Sequence, residues 1–397
     1  MLSNTAIPHL EASLPAVAAA IDDIASVFYR RLFTAHPNLE RDLFNRGNQR
    51  SGTQVRVLAG SIAAFATRLL DDPDARPNEG LRRIAHKHAS LGITREQYQV
   101  VKTHLFEAIV EVLGDAVTPP IAGAWNEVYW LMANALIAAE QQLYADAGVD
   151  PGRPWRDHQV VGLLQETTDV TTFIMRPLDG APVNPSLPGQ YVSVRVRLSD
   201  GAQQIRQYSV TTQEPDSLRF SVKRVAGTHP GEVSNHLHDR IRLGDVLTIS
   251  HPFGDVTLDD SDRPVFLASA GIGATPIVDM LNHLVAEDSP RRVTVVHADR
   301  APSVHPLRSD LEQLTAKLPN ATLAVWYESP EQPWPADRTG RIDLQQIEVP
   351  SGSVAYLCGP VPFMRSVRGQ LLDLGVDPAD VHYESFGPDL GLAEKTG

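Results

Sequence analysis

The chain has one cysteine, Cys358, in 397 residues. A lone thiol excludes an intramolecular disulfide framework and any metal site built from cysteines alone. No stretch approaches the ~18 consecutive apolar residues of a membrane-spanning helix. The opening residues, "MLSNTAIPHLEASLP", lack both the basic segment and the apolar run of a secretory leader. These features lead us to expect a reducing, cytoplasmic setting without stable membrane anchoring. Positive charge is also short, and the net charge is −13. Nucleic acid and anionic membranes are bound by basic surfaces, so neither is the expected main partner. Repeats and low-complexity tracts are absent. An ordinary apolar content of 42% remains, enough chain for several globular domains.

Three textures follow one another, and they predict a multidomain protein. Residues 1–147 read as all-α: apolar residues recur every three or four positions, as with Ile21, Ile24, Phe28 and Leu32. "TREQYQVVKTHLFEAIVEVLG" starts at a capping threonine, Thr94, with Gln97 at the capping-box position, and stops at Gly114. The stretch 145–158 carries two glycines and two prolines and reads as a linker. Residues 155–258 alternate with a period of two. "YVSVRVRL" sets Val192, Val194, Val196 and Leu198 on one face and Ser193, Arg195 and Arg197 on the other, as in a small antiparallel β-barrel. Residues 262–397 alternate buried-type strands with helical segments, the pattern of an α/β parallel sheet.

In the third region "SAGIGATP" hands a strand over to a helix. Gly271 and Gly273 allow a tight turn and close approach of a ligand, and the helix-opening N–H groups of Gly271, Ile272, Gly273, Ala274 and Thr275 suit a pyrophosphate. Pro276 loses nothing in a first helical turn. A glycine turn without a ligand is the competing reading. A second strand end, "LCGP", with Cys358, Gly359 and Pro360, favours a crevice at the carboxyl edge of the sheet. Cys358 alone also reads as a small apolar filler.

In the second region "RQYS" (Arg206, Gln207, Tyr208, Ser209) is followed by "GEVSNHL", in which Gly231, Val233 and Ser234 lead into a short helix. An arginine and a serine-bearing helix start suit phosphate charge. The ordered set "GQY", "RQYS", "GEVSNHL", "PFG", "SAGIGATP", "LCGP", "ESFG" resembles the ferredoxin–NADP reductase-like flavoproteins over about residues 155–397. That resemblance implies FAD contacts for Arg206, Gln207, Tyr208, Ser209 and Tyr191. It implies phosphate contacts for Gly231, Val233 and Ser234, and a nicotinamide dinucleotide at Gly271–Pro276. It places Phe386 and Gly387 over the flavin, with Pro388 beside them.

"LRRIAHKHASLG" in the first region holds two histidines. On a helix Leu81, Ile84, Ala85, His88 and Leu91 form the apolar face, so His88 points inward and His86 outward. An inward histidine is by default a satisfied core residue. Other polar residues lie on apolar helical faces: Gln54 beside Leu58, then Tyr98 and Glu140, with Tyr29 next to such a face. Buried polar groups are costly unless partnered, so several imply a shared site. One inward imidazole in a helical domain fits a haem ligand, with Tyr98 and Glu140 bonding its other nitrogen. Tyr29 and Gln54 would line the opposite side and bond O2.

End to end, "FYRRLF", "LFNRGNQRSGTQ", "IAHKHASLGI" with "QYQVV", and "GQY…RQYS…SNHLH" resemble the flavohaemoglobins, an all-α globin fused to an FAD β-barrel and an NAD(P)-binding α/β domain. The resemblance implies haem b, FAD and NADH or NADPH as cofactors. It implies His88 as the iron ligand, Tyr98 and Glu140 as its partners, Tyr29, Gln54 and Leu58 on the distal side, and Phe44 as a wedge against the haem. Lys87 and Glu384 match positions linked to haem–flavin coupling. Two departures are His86 and Ser385, the latter where a cysteine is common. The implied activity is nitric oxide dioxygenation, NO and O2 to nitrate with electrons from NAD(P)H through FAD. A haem-based O2 or NO sensor or carrier, and an NAD(P)H-dependent haem reductase or oxidase with another acceptor, are the alternatives. Asp299, after the second strand of the last region, favours the free ribose of NADH, whereas Arg300 would favour the phosphate of NADPH. O2 and NO are the expected small-molecule partners, and the expected oligomeric state is a monomer.

Overall fold

The computed structural model describes residues 2–50, 53–72 and 79–387; the side chains at 48, 50, 53–59, 79, 80, 212 and 213 lie outside that description. The chain divides into two compact units, Met1–Trp155 with Arg195–Arg206, and Arg156–Val194 with Gln207–Gly397.

The first unit is built on eight helices among the described residues: α1 (Ile7–Ala19), α2 (Ile21–Ala35), α3 (Pro37–Asp42), α4 (Arg46–Arg50), α5 (Thr53–Asp71), α6 (Glu79–Leu91), α7 (Arg95–Leu113) and α8 (Pro119–Ala147). The apolar stretch from Leu10 to Leu32 is two helices, because the chain leaves helical geometry at Ala20 and turns by 80°. Both halves still reach one core: Leu10, Val17, Ile24, Phe28 and Leu32 are each at most 4% exposed. α2 packs on α5 and α7, and α6 packs on α8. The capping box at the start of α7 is formed: the Thr94 N–H donates to Gln97 Oε1 at 2.8 Å, and the helix stops at Gly114, whose φ is +54°. Among the described residues no single helix is long and apolar enough to cross a membrane.

Six strands close an antiparallel barrel in the order β1-β2-β5-β4-β3-β6: β1 (Trp155–Thr167), β2 (Val170–Pro177), β3 (Tyr191–Arg197), β4 (Gln203–Glu214), β5 (Ser217–Lys223) and β6 (Val246–Ser250). The helix α9 (Glu232–Arg240) lies between β5 and β6 in sequence. The simple alternation expected for "YVSVRVRL" holds only in its second half. Ser193 is fully buried although it lies opposite the valine face, because its N–H and hydroxyl take up Ser250 and Gln207.

Five parallel strands follow, in the order β11-β10-β7-β8-β9: β7 (Val265–Ala270), β8 (Val293–Asp299), β9 (Ala321–Tyr327), β10 (Val354–Cys358) and β11 (Val381–Glu384). The helices α10 (Ala274–Ala286), α11 (Arg308–Lys317) and α12 (Val361–Asp373) flank them. Alternate residues of β7 feed two cores. Val265 and Leu267 pack with Ile277, Leu281 and Leu311, while Phe266 and Ala268 pack with Met364, Val367 and Leu371. That two-sided burial is why "VFLASA" reads as a continuous apolar run. From β7 the chain crosses to β8 on one side, and β10 lies on the other, so the order reverses between β7 and β10. Ligands bind such sheets at the carboxyl ends of those strands.

Candidate functional site

His88 sits in the last turn of α6. Its Nδ1 lies 2.8 Å from Glu140 Oε1 on α8 and 2.9 Å from the Tyr98 hydroxyl in the first turn of α7. The Tyr98 hydroxyl in turn donates to the same Glu140 oxygen. Glu140 is 3% exposed, and Tyr98 is also buried. Burial and the neighbouring carboxylate hold the Tyr98 phenol well above its ordinary pKa, so it remains a donor. α8 fixes the surrounding corner as well: the Tyr129 hydroxyl donates to the Tyr98 carbonyl at 2.6 Å, and the Tyr144 hydroxyl donates to the Ile93 carbonyl at 3.2 Å. With Nδ1 committed, Nε2 is the nitrogen left for a ligand, which is the arrangement a metal-bound imidazole requires. Among the described residues no three His, Cys, Asp or Glu side chains converge on a bare ion.

His86 departs from its expected position. It is half-buried rather than on the surface, and burial together with Arg82 lowers its pKa to about 4. Spacing gave its angle around α6 but not the neighbours that cover it. Lys87 is exposed.

Tyr29 is 5% exposed in a ring of aromatics, with centroids of Phe28 at 4.8 Å, Phe33 at 5.5 Å and Phe44 at 5.9 Å. Desolvation raises its pKa, and its side-chain partner is Gln49. Among the described residues the buried Gln49 Nε2 has no hydrogen-bond partner. Sequence reasoning passed over Gln49; its signal was a second glutamine in "LFNRGNQRSGTQ". The side chains of Gln54 and Leu58 lie outside the described residues.

Gln204 was also missed. It is 1% exposed and belongs to the same unit as the helices. Its Nε2 donates to the carbonyls of Arg41 and Phe44, at 3.0 and 3.1 Å. Its Oε1 accepts from the Arg46 N–H and from Arg206 Nη1, both at 3.3 Å. Every hydrogen-bonding position of the amide is used, so the backbone that carries Phe44 is pinned.

In the second unit Tyr208 stacks on Phe220 at 5.4 Å, and Phe220 stacks on Phe173 at 5.5 Å. Gln207 Nε2 donates to Ser193 Oγ at 3.0 Å, and Ser209 is buried. Tyr191 exchanges both backbone hydrogen bonds with Phe253, at 2.8 and 2.9 Å. Gly231 caps α9, where Val233 is buried and Ser234 Oγ accepts the Val225 N–H at 3.2 Å.

The two glycine-bearing strand ends expected to share a crevice meet. A Cβ on Gly273 would lie 2.6 Å from the Cys358 carbonyl carbon and 2.8 Å from the Gly359 nitrogen. Gly271, at φ +53°, opens a 3-10 turn that leads through Ile272 into Ala274, Thr275 and Pro276 at the start of α10. Only bare backbone fits here, and its N–H groups are those of a helix start, a fit for a pyrophosphate. Pro360 precedes α12. Cys358 is 1% exposed, and burial, then Glu384, push its thiol pKa well up, which makes it inert. Glu384 pairs in register with Cys358 at the end of β11. Ser385 follows, then Phe386, half exposed, and Gly387; Pro388 lies outside the described residues.

Asp299 does not present itself to a ribose. Its side chain is 5% exposed, Oδ1 accepts the Arg300 N–H at 2.7 Å, and Oδ2 lies 3.7 Å from His297 Nε2. The carboxylate turns inward because the buried His297 lies on the same strand.

Comparison with known proteins places these features. Residues 26–136 match the model of the globin family, and residues 267–369 match that of the oxidoreductase NAD-binding domain. A flavohemoprotein of Bordetella pertussis is 43% identical over 401 residues, covering 98% of this chain and 99% of the relative. A crystal structure of flavohemoglobin from Malassezia yamatoensis with bound FAD and heme has a TM-score of 0.90 at 38% identity, covering 97% of this chain and all of that one. The flavohem-like FAD/NAD-binding domain of nitric oxide dioxygenase from Vibrio cholerae is 36% identical over 59% of this chain and all of that one, with a TM-score of 0.55. With full-length identity at this level, the chain belongs to the flavohaemoproteins.

Proposed function

We propose that the chain is a nitric oxide dioxygenase that draws electrons from NAD(P)H. Bound, haem b would supply the iron at which O2 and NO combine to nitrate, and FAD would divide the hydride's electron pair into single electrons. His88 would hold the iron through Nε2, with Glu140 and Tyr98 fixing the ring through Nδ1. The observation that carries the reading is the Tyr29 hydroxyl. It is a buried donor within an aromatic ring of neighbours, where water competes poorly and a developing negative charge on a diatomic ligand gains most. Like any phenol it keeps its proton at neutral pH, and burial raises its pKa further. Tyr191, Tyr208, Ser209 and Gln207 would hold the flavin, with Arg206 on its pyrophosphate. The Gly271–Pro276 turn and Gly359 would receive the nicotinamide dinucleotide. The FAD/NAD-binding domain of nitric oxide dioxygenase from Vibrio cholerae, 36% identical to this chain, supports this reading.

The test is NO consumption by the purified holoprotein with NADH or NADPH, with and without O2. Catalytic turnover that needs O2 and yields one nitrate per NO is expected. NO binding without turnover would refute the reading. Tyr29→Phe should speed O2 release and cut turnover by about tenfold or more, the scale of losing one oriented donor. An unchanged O2 dissociation rate would remove Tyr29 from this role.

A further inference from the structure

α10 is apolar on nearly every side: Ile277, Val278, Met280 and Leu281 are at most 1% exposed. One carboxylate, Asp279, is buried among them at 7% exposure. Its Oδ2 accepts the backbone N–H of Gly189 at 2.8 Å. Gly189 belongs to the turn that enters β3, two residues before Tyr191. That turn is tightly held. Gly189 has φ +103°, and a Cβ there would stand 2.5 Å from the Val256 carbonyl oxygen and 2.7 Å from Met280 Cε. The buried Asp279 carboxylate is the acceptor of this N–H. One turn further along α10, Asn282 Nδ2 donates to the Thr211 carbonyl at 2.9 Å, two residues past Ser209. The helix that begins at the Gly271–Gly273 turn thus grips the backbone beside Tyr191 and beside Ser209.

A buried carboxylate is an expensive way to satisfy one N–H. An apolar side chain would carry no such desolvation cost. The geometry points to Asp279 as a positioning residue for hydride transfer: it fixes the flavin-side turn at Gly189–Tyr191 to the helix that carries the nicotinamide-side glycine turn. This rests on reading the unit as a nicotinamide–flavin reductase. Transfer rates depend steeply on this spacing, and misplacement by about 1 Å costs on the order of 100-fold.

The test is anaerobic single-turnover reduction of the FAD by NADH, and by NADPH, in the full-length holoprotein. Asp279→Leu removes the acceptor and replaces it with a larger apolar side chain; Asp279→Asn keeps size and an acceptor and removes the charge. Asp279→Leu should retain FAD and thermal stability, yet lower the limiting reduction rate about 10- to 100-fold, with a smaller change in the half-saturating nucleotide concentration. Asp279→Asn should restore the rate to within a few-fold of the parent. A limiting rate in Asp279→Leu within twofold of the parent would overturn the proposal. So would loss of FAD or of the fold in that variant, which would make the residue structural. A parent protein whose FAD neither nucleotide reduces would instead refute the reductase reading itself.

Discussion

The most direct perturbation of the haem-side cluster is removal of the Glu140 carboxylate. Glu140 is buried, lies 2.8 Å from His88 Nδ1, and receives the Tyr98 hydroxyl on the same oxygen. A hydrogen bond to a charged group is worth about 1.5–3 kcal/mol. Removing an outer partner of a ligating histidine lowers metal affinity about 10- to 100-fold, or ~1.4–2.7 kcal/mol. The two scales agree, so Glu140→Leu should raise the rate of haem transfer to an apo-globin acceptor by about one to two orders of magnitude. Glu140→Gln, which still accepts from Nδ1, should lose less. Tyr98→Phe should fall between them, because it takes one of two donors from a buried carboxylate and one of two contacts from Nδ1. In the double variant the losses should not add, since both residues act on one nitrogen. The assay is haem transfer followed at the Soret band, with far-ultraviolet circular dichroism to confirm that the helices persist. A folded Glu140→Leu variant that keeps parental haem affinity and an unaltered ferrous spectrum would refute the reasoning.

Further outcomes are expected elsewhere in the chain. Gly273→Ala drives a methyl group into the Cys358–Gly359 backbone, an overpacking cost of about 1–3 kcal/mol; half-saturation for NADH in flavin reduction should rise severalfold or more, and an unchanged value would show that the strand end is not used. Burial, the stacked His297 and Arg308 lower the His305 pKa to about 2, against ~6.5 when unfolded. The unfolded chain therefore takes up the proton first on acidification, so this stabilisation is intact above pH ~6.5 and falls by ~1.4 kcal/mol per pH unit below it, about 2 kcal/mol by pH ~5. Urea denaturation at several pH values should show a flatter acid limb for His305→Phe, and an identical limb would refute the assignment. Gln204→Ala leaves the Arg41 and Phe44 carbonyls without their amide donor and should cost about 1–3 kcal/mol in the first unit; the measurement is hydrogen exchange across residues 41–46, where unchanged protection would refute it.

Local chemistry was legible wherever periodicity or turn chemistry fixes it. The α7 capping box, the two-sided strand "VFLASA" and the glycine strand ends needed no more than residue type and spacing. Helical spacing separated His88 from His86 by angle, yet it could not say that neighbours would half cover His86. Asp299 looked available because its strand end is; its inward turn depends on His297, two residues away on that strand. Gln49 was hidden by the more conspicuous Gln54 pattern. Asp279 was overlooked because an aspartate in "PIVDMLNHL" reads as one polar interruption of an apolar helix.

Asp279 and Gln204, which were missed, share remoteness of the partner: Asp279 meets Gly189 across 90 positions and Gln204 meets Phe44 across 160. Glu140 meets His88 across 52 and was legible only because both lie on apolar helical faces. Apolar packing tolerates many substitutions of similar volume, so it sets the fold without fixing one orientation at a site. A buried amide or carboxylate is different. Its desolvation is offset only when a partner stands within about 3 Å at the right angle, so each such contact selects one arrangement among near-equivalent packings. In this chain those contacts act on the His88 imidazole, the backbone of Phe44 and the turn before Tyr191, each next to a candidate cofactor contact. Replacing them with apolar residues of equal volume should therefore cost more in rate and cofactor affinity than in global stability. Losses in the reverse proportion would show that they only hold the fold.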